Sequence, residues 1–236
     1  MHRIAAIVAS GLLLAGAPVA AASAGTTTSP EPARARAPVV LMLHAGGFIF
    51  DDPNKLATAT QIATGLGFET VYVEYPLYDL RGAVMAAQSA AQRLRAEGRH
   101  VYAYGESAGG TLAALLAERH LVSAAALYSP VANLRRFASE LDDPETYTRL
   151  IGADRALLLR DSPGVHDSDR PILALRPRGD DAFMTEATIR WDARDPEVES
   201  VAVAGNHLGY PGAPRIYPRN VTTAMRWLLA RTAAPG

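Results

Sequence analysis

A serine stands at the centre of Gly105-Glu106-Ser107-Ala108-Gly109. The apolar run His100-Val101-Tyr102-Ala103-Tyr104 leads into it, and the helix-forming run Thr111–Leu116 follows. Strand, tight turn and helix in that order hold a serine on a strained bend with its hydroxyl presented, and the amide of Ala108 points where a negatively charged oxygen would form. Such a hydroxyl suits nucleophilic attack on a carbonyl carbon. The attack needs a base for the hydroxyl proton, a carboxylate to orient that base, and N–H donors for the oxyanion.

Each requirement has a candidate at a sensible place. His44-Ala45-Gly46-Gly47-Phe48 follows the apolar run Val39–Leu43 directly. Glycines in such a loop let backbone N–H groups approach a substrate oxygen with no Cβ in the way. Among the six histidines, His207 lies in Ala204-Gly205-Asn206-His207-Leu208-Gly209, a loop of small residues just past the apolar run Val198–Val203. It is the preferred base, and His166, beside Asp167 and Asp169, is the second choice. His44 belongs to the glycine loop and is expected to shape it. The orienting acid is expected between serine and histidine, where Arg178-Gly179-Asp180-Asp181-Ala182-Phe183-Met184 supplies two aspartates. Asp181 is preferred over Asp180, because the Ala-Phe-Met after it could pack down and fix it.

The elements that would carry these residues alternate. Short apolar runs predict strands at 39–43, 70–73, 101–104, 124–128, 172–175 and 198–203. Helical patterns predict helices near 53–66, 80–96, 111–120, 185–190 and 221–232. This is the pattern of an α/β domain, a mostly parallel sheet flanked by helices. Ser107, Asp181 and His207 would then all follow strands at one end of the sheet, where open α/β sheets bind ligands. One interval breaks the rhythm: about forty residues separate Tyr128 from Ile172, more than a crossover needs. Asp143-Pro144-Glu145 reads there as a helix start, and 153–160 as a second short helix, so a small cap insertion over the site is expected at about 131–170.

Composition bounds the rest. Arg3, the apolar run Ile4–Ala17 and Ala22-Ser23-Ala24 read as an export signal over 1–24, cleaved near Ala24. Residues 25–38 read as a flexible linker and 39–236 as one catalytic domain. The location implied is secreted or otherwise outside the cytoplasm, and no stable membrane span is expected. A formal charge of −1 gives no reason to expect nucleic acid as a partner, and Lys55 is the only lysine among 23 basic residues. The chain has no cysteine, which excludes disulfides, thiolate metal sites and a cysteine nucleophile. No metal-ligand motif of the H-E-x-x-H kind occurs, and neither metal nor cofactor is expected.

Taken together, these segments resemble the α/β-hydrolase superfamily, in particular its hormone-sensitive-lipase-like and carboxylesterase branch. Gly105 through Gly110 match that branch's elbow G-[DE]-S-A-G-G in full. His44-Ala45-Gly46-Gly47-Phe48 is similar to its H-G-G-G segment, with Ala45 in place of the first glycine. Val71–Leu77 and Ser129–Leu134 look like further segments of the branch. The resemblance implies Ser107 as nucleophile and Gly46, Gly47 and Ala108 as the oxyanion donors; it leaves the acid unassigned between Asp180 and Asp181, so Asp181 and His207 stand as Ser107's partners on their places in the chain. It implies a small-molecule ester as substrate, and the small cap, with no long amphipathic surface helix in the pattern, points to short to medium acyl groups. A thioester, an amide or an acyl acceptor other than water would use the same residues, and a binding module that has lost catalysis is the reading from another class.

Overall fold

The computed structural model describes residues 36–51, 56–207 and 215–232. The expected export signal and the linker as far as Ala35 lie outside these residues, as do the first residues of the helix expected from Pro53 and the end of the loop after His207.

The order of elements is β1 (Val39–Leu43), α1 (Ala57–Gly65), β2 (Glu69–Tyr72), α2 (Leu80–Ala96), β3 (Val101–Glu106), α3 (Ala108–Glu118), β4 (Ala125–Tyr128), α4 (Leu134–Ser139), α5 (Pro144–Leu150), α6 (Arg155–Arg160), β5 (Ile172–Gly179), α7 (Ala182–Asp192), β6 (Val198–Asn206) and α8 (Ile216–Thr232). The six strands form one sheet in the order β2-β1-β3-β4-β5-β6, and every neighbouring pair is parallel. Parallel pairing forces each connection to cross a face of the sheet, so the central strands are covered on both sides and read as unbroken apolar runs. In β1, Val39, Leu41 and Leu43 join the core shared with α2 and α3, while Val40 and Met42 join the core shared with α1 and α8.

Capping accounts for several boundaries. The Asp79 carboxylate accepts the Gly82 N–H at 2.8 Å and starts α2 at the residue expected. In the long β4–β5 connection, Asn133, Asp143 and Asp154 cap α4, α5 and α6 in the same way. Of these helices α4 was not anticipated, since only its Asn133 cap marks it in an otherwise short pattern. The connection is pinned to the body at several points. Thr111 Oγ1 donates to the Val131 carbonyl at 3.0 Å, Arg119 pairs with the buried Asp161 at 2.7 Å, and Glu118 Oε1 accepts the Gly164 N–H at 2.9 Å.

The other constraint is backbone against backbone. A Cβ on Gly109, in the first turn of α3, would overlap the carbonyl groups of Leu43 and His44 at the end of β1, and one on Gly105 would overlap the Gly109 carbonyl. Replacing Gly109 by alanine is therefore expected to cost about 3 kcal/mol or more. The same change at Gly65, whose Cβ would meet nothing within 4 Å on α1, should instead stabilise by about 0.5–1 kcal/mol. Urea unfolding of the two variants checks the contrast.

Burial lifts the Glu118 carboxyl from its ordinary value of 4.5 to about 7, against the pull of the Gly164 N–H and of Arg119. Between those values the native state holds a proton that the unfolded chain has released. The contribution is whole below about pH 4.5 and lost as pH rises through about 7. Relative to Glu118→Gln, the unaltered protein should lose about 3 kcal/mol of unfolding free energy across that window. Denaturant titrations at a series of pH values measure it; parallel pH profiles for the two proteins would refute the assignment.

Candidate active site

Because the strands are parallel, their carboxyl ends lie along one edge of the sheet. The first residue past β3 is Ser107, past β4 Ser129, past β5 Asp180 and past β6 His207. These four side chains form one connected group.

Ser107 turns the chain from strand to helix at φ +51° and is 5 % exposed. Its N–H donates to the Tyr128 carbonyl at 3.0 Å, which ties the bend to the end of β4. Its Oγ lies 3.1 Å from His207 Nε2. The other ring nitrogen, Nδ1, is 2.9 Å from Asp180 Oδ1. The Asp180 side chain is 3 % exposed and that of His207 33 %, so the carboxylate is shielded while the imidazole borders solvent.

The acid at the imidazole is thus Asp180, and the preference for Asp181 is corrected. Register explains why. In the β5–β6 pair Gly179 stands opposite Asn206, so the next residues, Asp180 and His207, are neighbours across the strands. A bulge at Pro177–Gly179 and the Asp180 N–H to Pro177 carbonyl bond at 3.2 Å bend the chain there. Asp181 is one step too far: it occupies the N-cap position of α7, makes no side-chain cap bond there, and its N–H donates to Asp180 Oδ1 at 3.0 Å. His166, the second choice for the base, lies in the β4–β5 connection, where its carbonyl accepts from Arg194 at 3.2 Å.

The glycine loop after β1 is a tight turn. The Gly46 carbonyl accepts the N–H groups of both Ile49 and Phe50 at 3.0 Å. A trans peptide points its N–H opposite to its carbonyl, so the Gly47 N–H faces away from the turn. Gly46 at φ +128° and Gly47 at φ +60° use conformations open to glycine, and a Cβ on Gly46 would overlap the Phe50 carbonyl. Ala45 adopts no left-handed φ and is fully buried, so its Cβ is accommodated without strain. Beneath the loop, His44 stacks on Tyr75 with ring centres 4.0 Å apart, and the Tyr75 hydroxyl donates to the His44 carbonyl at 2.8 Å. On its other side Tyr147 of α5 donates to the Gly47 carbonyl at 3.1 Å, and the Tyr78 N–H donates to the Phe48 carbonyl at 2.7 Å. Ala108 opens α3, and the first N–H groups of a helix have no intrahelical acceptor.

Three contributors escaped the sequence reading. Ser129 Oγ donates to Asp180 Oδ2 and lies 2.7 Å from His207 Nδ1. Tyr147 reaches the glycine loop from a helix a hundred residues away in sequence. Glu106, beside the serine, is buried and accepts from the hydroxyls of Tyr104, at 2.7 Å, and Tyr217 of α8. Burial, reinforced by the Glu106 charge, pushes both phenols above their usual range, so they remain donors. The available signal was positional: Ser129, like Ser107, directly follows a strand.

Several known proteins are similar to this chain. The family described by the α/β-hydrolase fold matches residues 40–208. Esterase LipI of Mycobacterium tuberculosis is 37% identical over an alignment of 99 residues that covers 37% of this chain and 31% of that esterase's length. Among solved structures, the thermophilic esterase Est2 of the planctomycete Thermogutta terrifontis, bound to propionate, superposes with a TM-score of 0.65 at 21% identity, covering 86% of this chain and 87% of its own. An esterase/lipase from an uncultured bacterium gives 0.66 at 21% identity, covering 86% and 80%.

Substituting the two aspartates separates them. Asp180→Asn should slow labelling of Ser107 by a fluorophosphonate probe about 10³–10⁴-fold, as loss of the orienting carboxylate does in a serine–histidine pair. Asp181→Asn, which breaks no side-chain bond to the imidazole, should label within about two-fold of the unaltered protein. Rates read by intact-protein mass spectrometry decide, and equal rates for the two variants would contradict the geometry.

Proposed function

Since this chain belongs to the α/β-hydrolase fold family, we propose that it is an exported serine hydrolase that cleaves carboxylic esters through an acyl-enzyme. The observation that carries the reading is the unbroken line from Ser107 Oγ through His207 to Asp180, with contacts of 3.1 and 2.9 Å. His207 Nε2 accepts the Ser107 proton as Oγ attacks the ester carbonyl, and Asp180 holds Nδ1–H and offsets the imidazolium charge. The carbonyl electron pair moves onto oxygen, where the N–H groups of Gly46, Gly47 and Ala108 meet it. Each such donor is worth about 10²–10³ in turnover. Collapse expels the alcohol, which takes the proton from His207 and leaves Ser107 acylated. Water, deprotonated by the same imidazole, then attacks the acyl carbon; the bond to Ser107 Oγ breaks, the acid leaves, and His207 returns the proton to Oγ.

Short to medium acyl groups remain the proposed substrate class. Est2 of T. terrifontis has been solved with propionate and with butyrate, acids of that size. Export rests on the pattern of residues 1–24, and among the described residues no helix is long and apolar enough to cross a membrane.

Hydrolysis of p-nitrophenyl esters from acetate to palmitate, by the protein and by Ser107→Ala, tests the reading. The unaltered protein should favour acyl chains at the short end, and the variant should lose at least about 10³-fold in kcat. Hydrolysis that persists in Ser107→Ala, or a folded protein inactive on every ester and unlabelled by the probe, would overturn it.

A further inference from the structure

Ser129 lies where the mechanism above has no role for it. It is the first residue past β4, the strand between those that deliver Ser107 and Asp180. Its backbone is left-handed at φ +50°, an uncommon choice for a serine with glycine equally short. Its N–H donates to the Leu175 carbonyl of β5 at 2.9 Å, which fixes the residue against the acid's strand. The residue is 1 % exposed, and its side chain makes two contacts, one to Asp180 Oδ2 and one to His207 Nδ1 at 2.7 Å.

Counting protons shows what the contacts require. The hydroxyl has one hydrogen and two neighbours that could take it. Asp180 is a carboxylate, and a hydrogen bond to a charged acceptor is the stronger by about two-fold. The hydrogen therefore goes to Oδ2, and Ser129 turns a lone pair toward Nδ1. Asp180 Oδ1 already faces the same nitrogen at 2.9 Å. Nδ1 then meets two acceptors and no donor. An imidazole with its hydrogen on Nδ1 satisfies both, whereas one with its hydrogen on Nε2 sets three lone pairs against each other in a buried place. Only the first tautomer leaves Nε2 free to accept the Ser107 proton.

We propose that Ser129 is a positioning residue that locks His207 in the Nδ1–H tautomer and fixes the Asp180 carboxylate through its second oxygen. The inference rests on the ester-hydrolase reading for its consequence in turnover, but not for the tautomer itself. With the carboxylate held at Oδ2, its Oδ1 cannot rotate away from the imidazole. When His207 is protonated during attack, Asp180 and Ser129 share the Nδ1–H, so the positive charge forms against an arrangement already in place.

The test uses the full chain with 15N-labelled histidine and compares Ser129→Ala and Ser129→Gly. Alanine keeps the left-handed strain and removes the hydroxyl; glycine removes both, so a purely backbone role would be rescued by glycine and a hydroxyl role would not. The expected result is that the unaltered protein shows His207 protonated at Nδ1, with a downfield proton resonance protected from exchange. In both variants that resonance shifts and exchanges faster, and the Nε2–H form becomes detectable. Turnover of the preferred p-nitrophenyl ester falls about 10–100-fold in kcat with KM within about two-fold, the weight of a hydrogen bond to a charged group. An unchanged resonance in Ser129→Ala, or recovery of both resonance and kcat in Ser129→Gly, would overturn the proposal. If the unaltered protein neither hydrolyses esters nor labels at Ser107, the ester-hydrolase reading fails instead, and the 15N spectrum still decides the tautomer.

Discussion

Everything at this site depends on a register. In a parallel sheet all strands run the same way, so the residues that follow them meet along one edge, and the hydrogen-bond ladder decides which of them are neighbours. Glu106 pairs with Tyr128, and Gly179 pairs with Asn206. One step beyond each pair stand Ser107 beside Ser129 and Asp180 beside His207. The residues are scattered over a hundred positions of sequence, yet no long loop has to find its way to bring them together. A slip of a single residue between β5 and β6 would put Asp181 or Asn206 in the wrong place, because side chains alternate with period two.

What surrounds the row keeps it from relaxing. The Tyr128 carbonyl holds the Ser107 N–H, and the Tyr128 hydroxyl reaches the Asn206 carbonyl at 3.3 Å, next to His207. Tyr217 of α8 packs edge-on against Tyr128, with ring centres 5.6 Å apart, and bonds to Glu106. Asn220 of the same helix donates to the Ala204 carbonyl at 2.8 Å. A single helix therefore touches the elbow that carries the nucleophile and the strand that carries the base. Across the site the glycine loop is held from below by His44 and Tyr75 and from α5 by Tyr147. The β4–β5 connection is thus part of the loop's support, as its bond to the Gly47 carbonyl shows.

The features legible in the sequence were those written in local chemistry. Five apolar residues at 39–43 between a Pro-rich linker and a glycine loop read as a strand buried on both faces, and the helical pattern from Leu80 placed the start of α2. The serine and the histidine were legible because each sits in a small-residue loop directly after a strand. The acid was not, because Asp180 and Asp181 have the same chemistry and differ only in register. That register depends on a bulge at Pro177–Gly179 and on β5 running four residues past the expected Leu175. Ser129 and Tyr147 were hidden for a related reason: a hydroxyl gains its role from a partner distant in sequence, and nothing in Tyr128-Ser129-Pro130 or Glu145-Thr146-Tyr147 names that partner.

Backbone strain is distributed in a way that packing alone does not require. Among the described residues, five other than glycine have left-handed backbones: Phe48, Tyr78, Ser107, His120 and Ser129. His120 ends a helix, a common place for that conformation. Each of the other four lies in the glycine loop, at the carboxyl edge of the sheet, or hydrogen-bonded to that loop through its N–H. Left-handed residues cost about 1 kcal/mol or more each where glycine would cost nothing. At Ser107 the cost is unavoidable, since glycine has no hydroxyl to attack with. At Ser129 the same logic applies: glycine would relieve the bend, and the only group lost would be the hydroxyl between Asp180 and His207. A strained serine beside another strained serine, on adjacent strands and joined through one imidazole, is what a fold would show if both hydroxyls were needed.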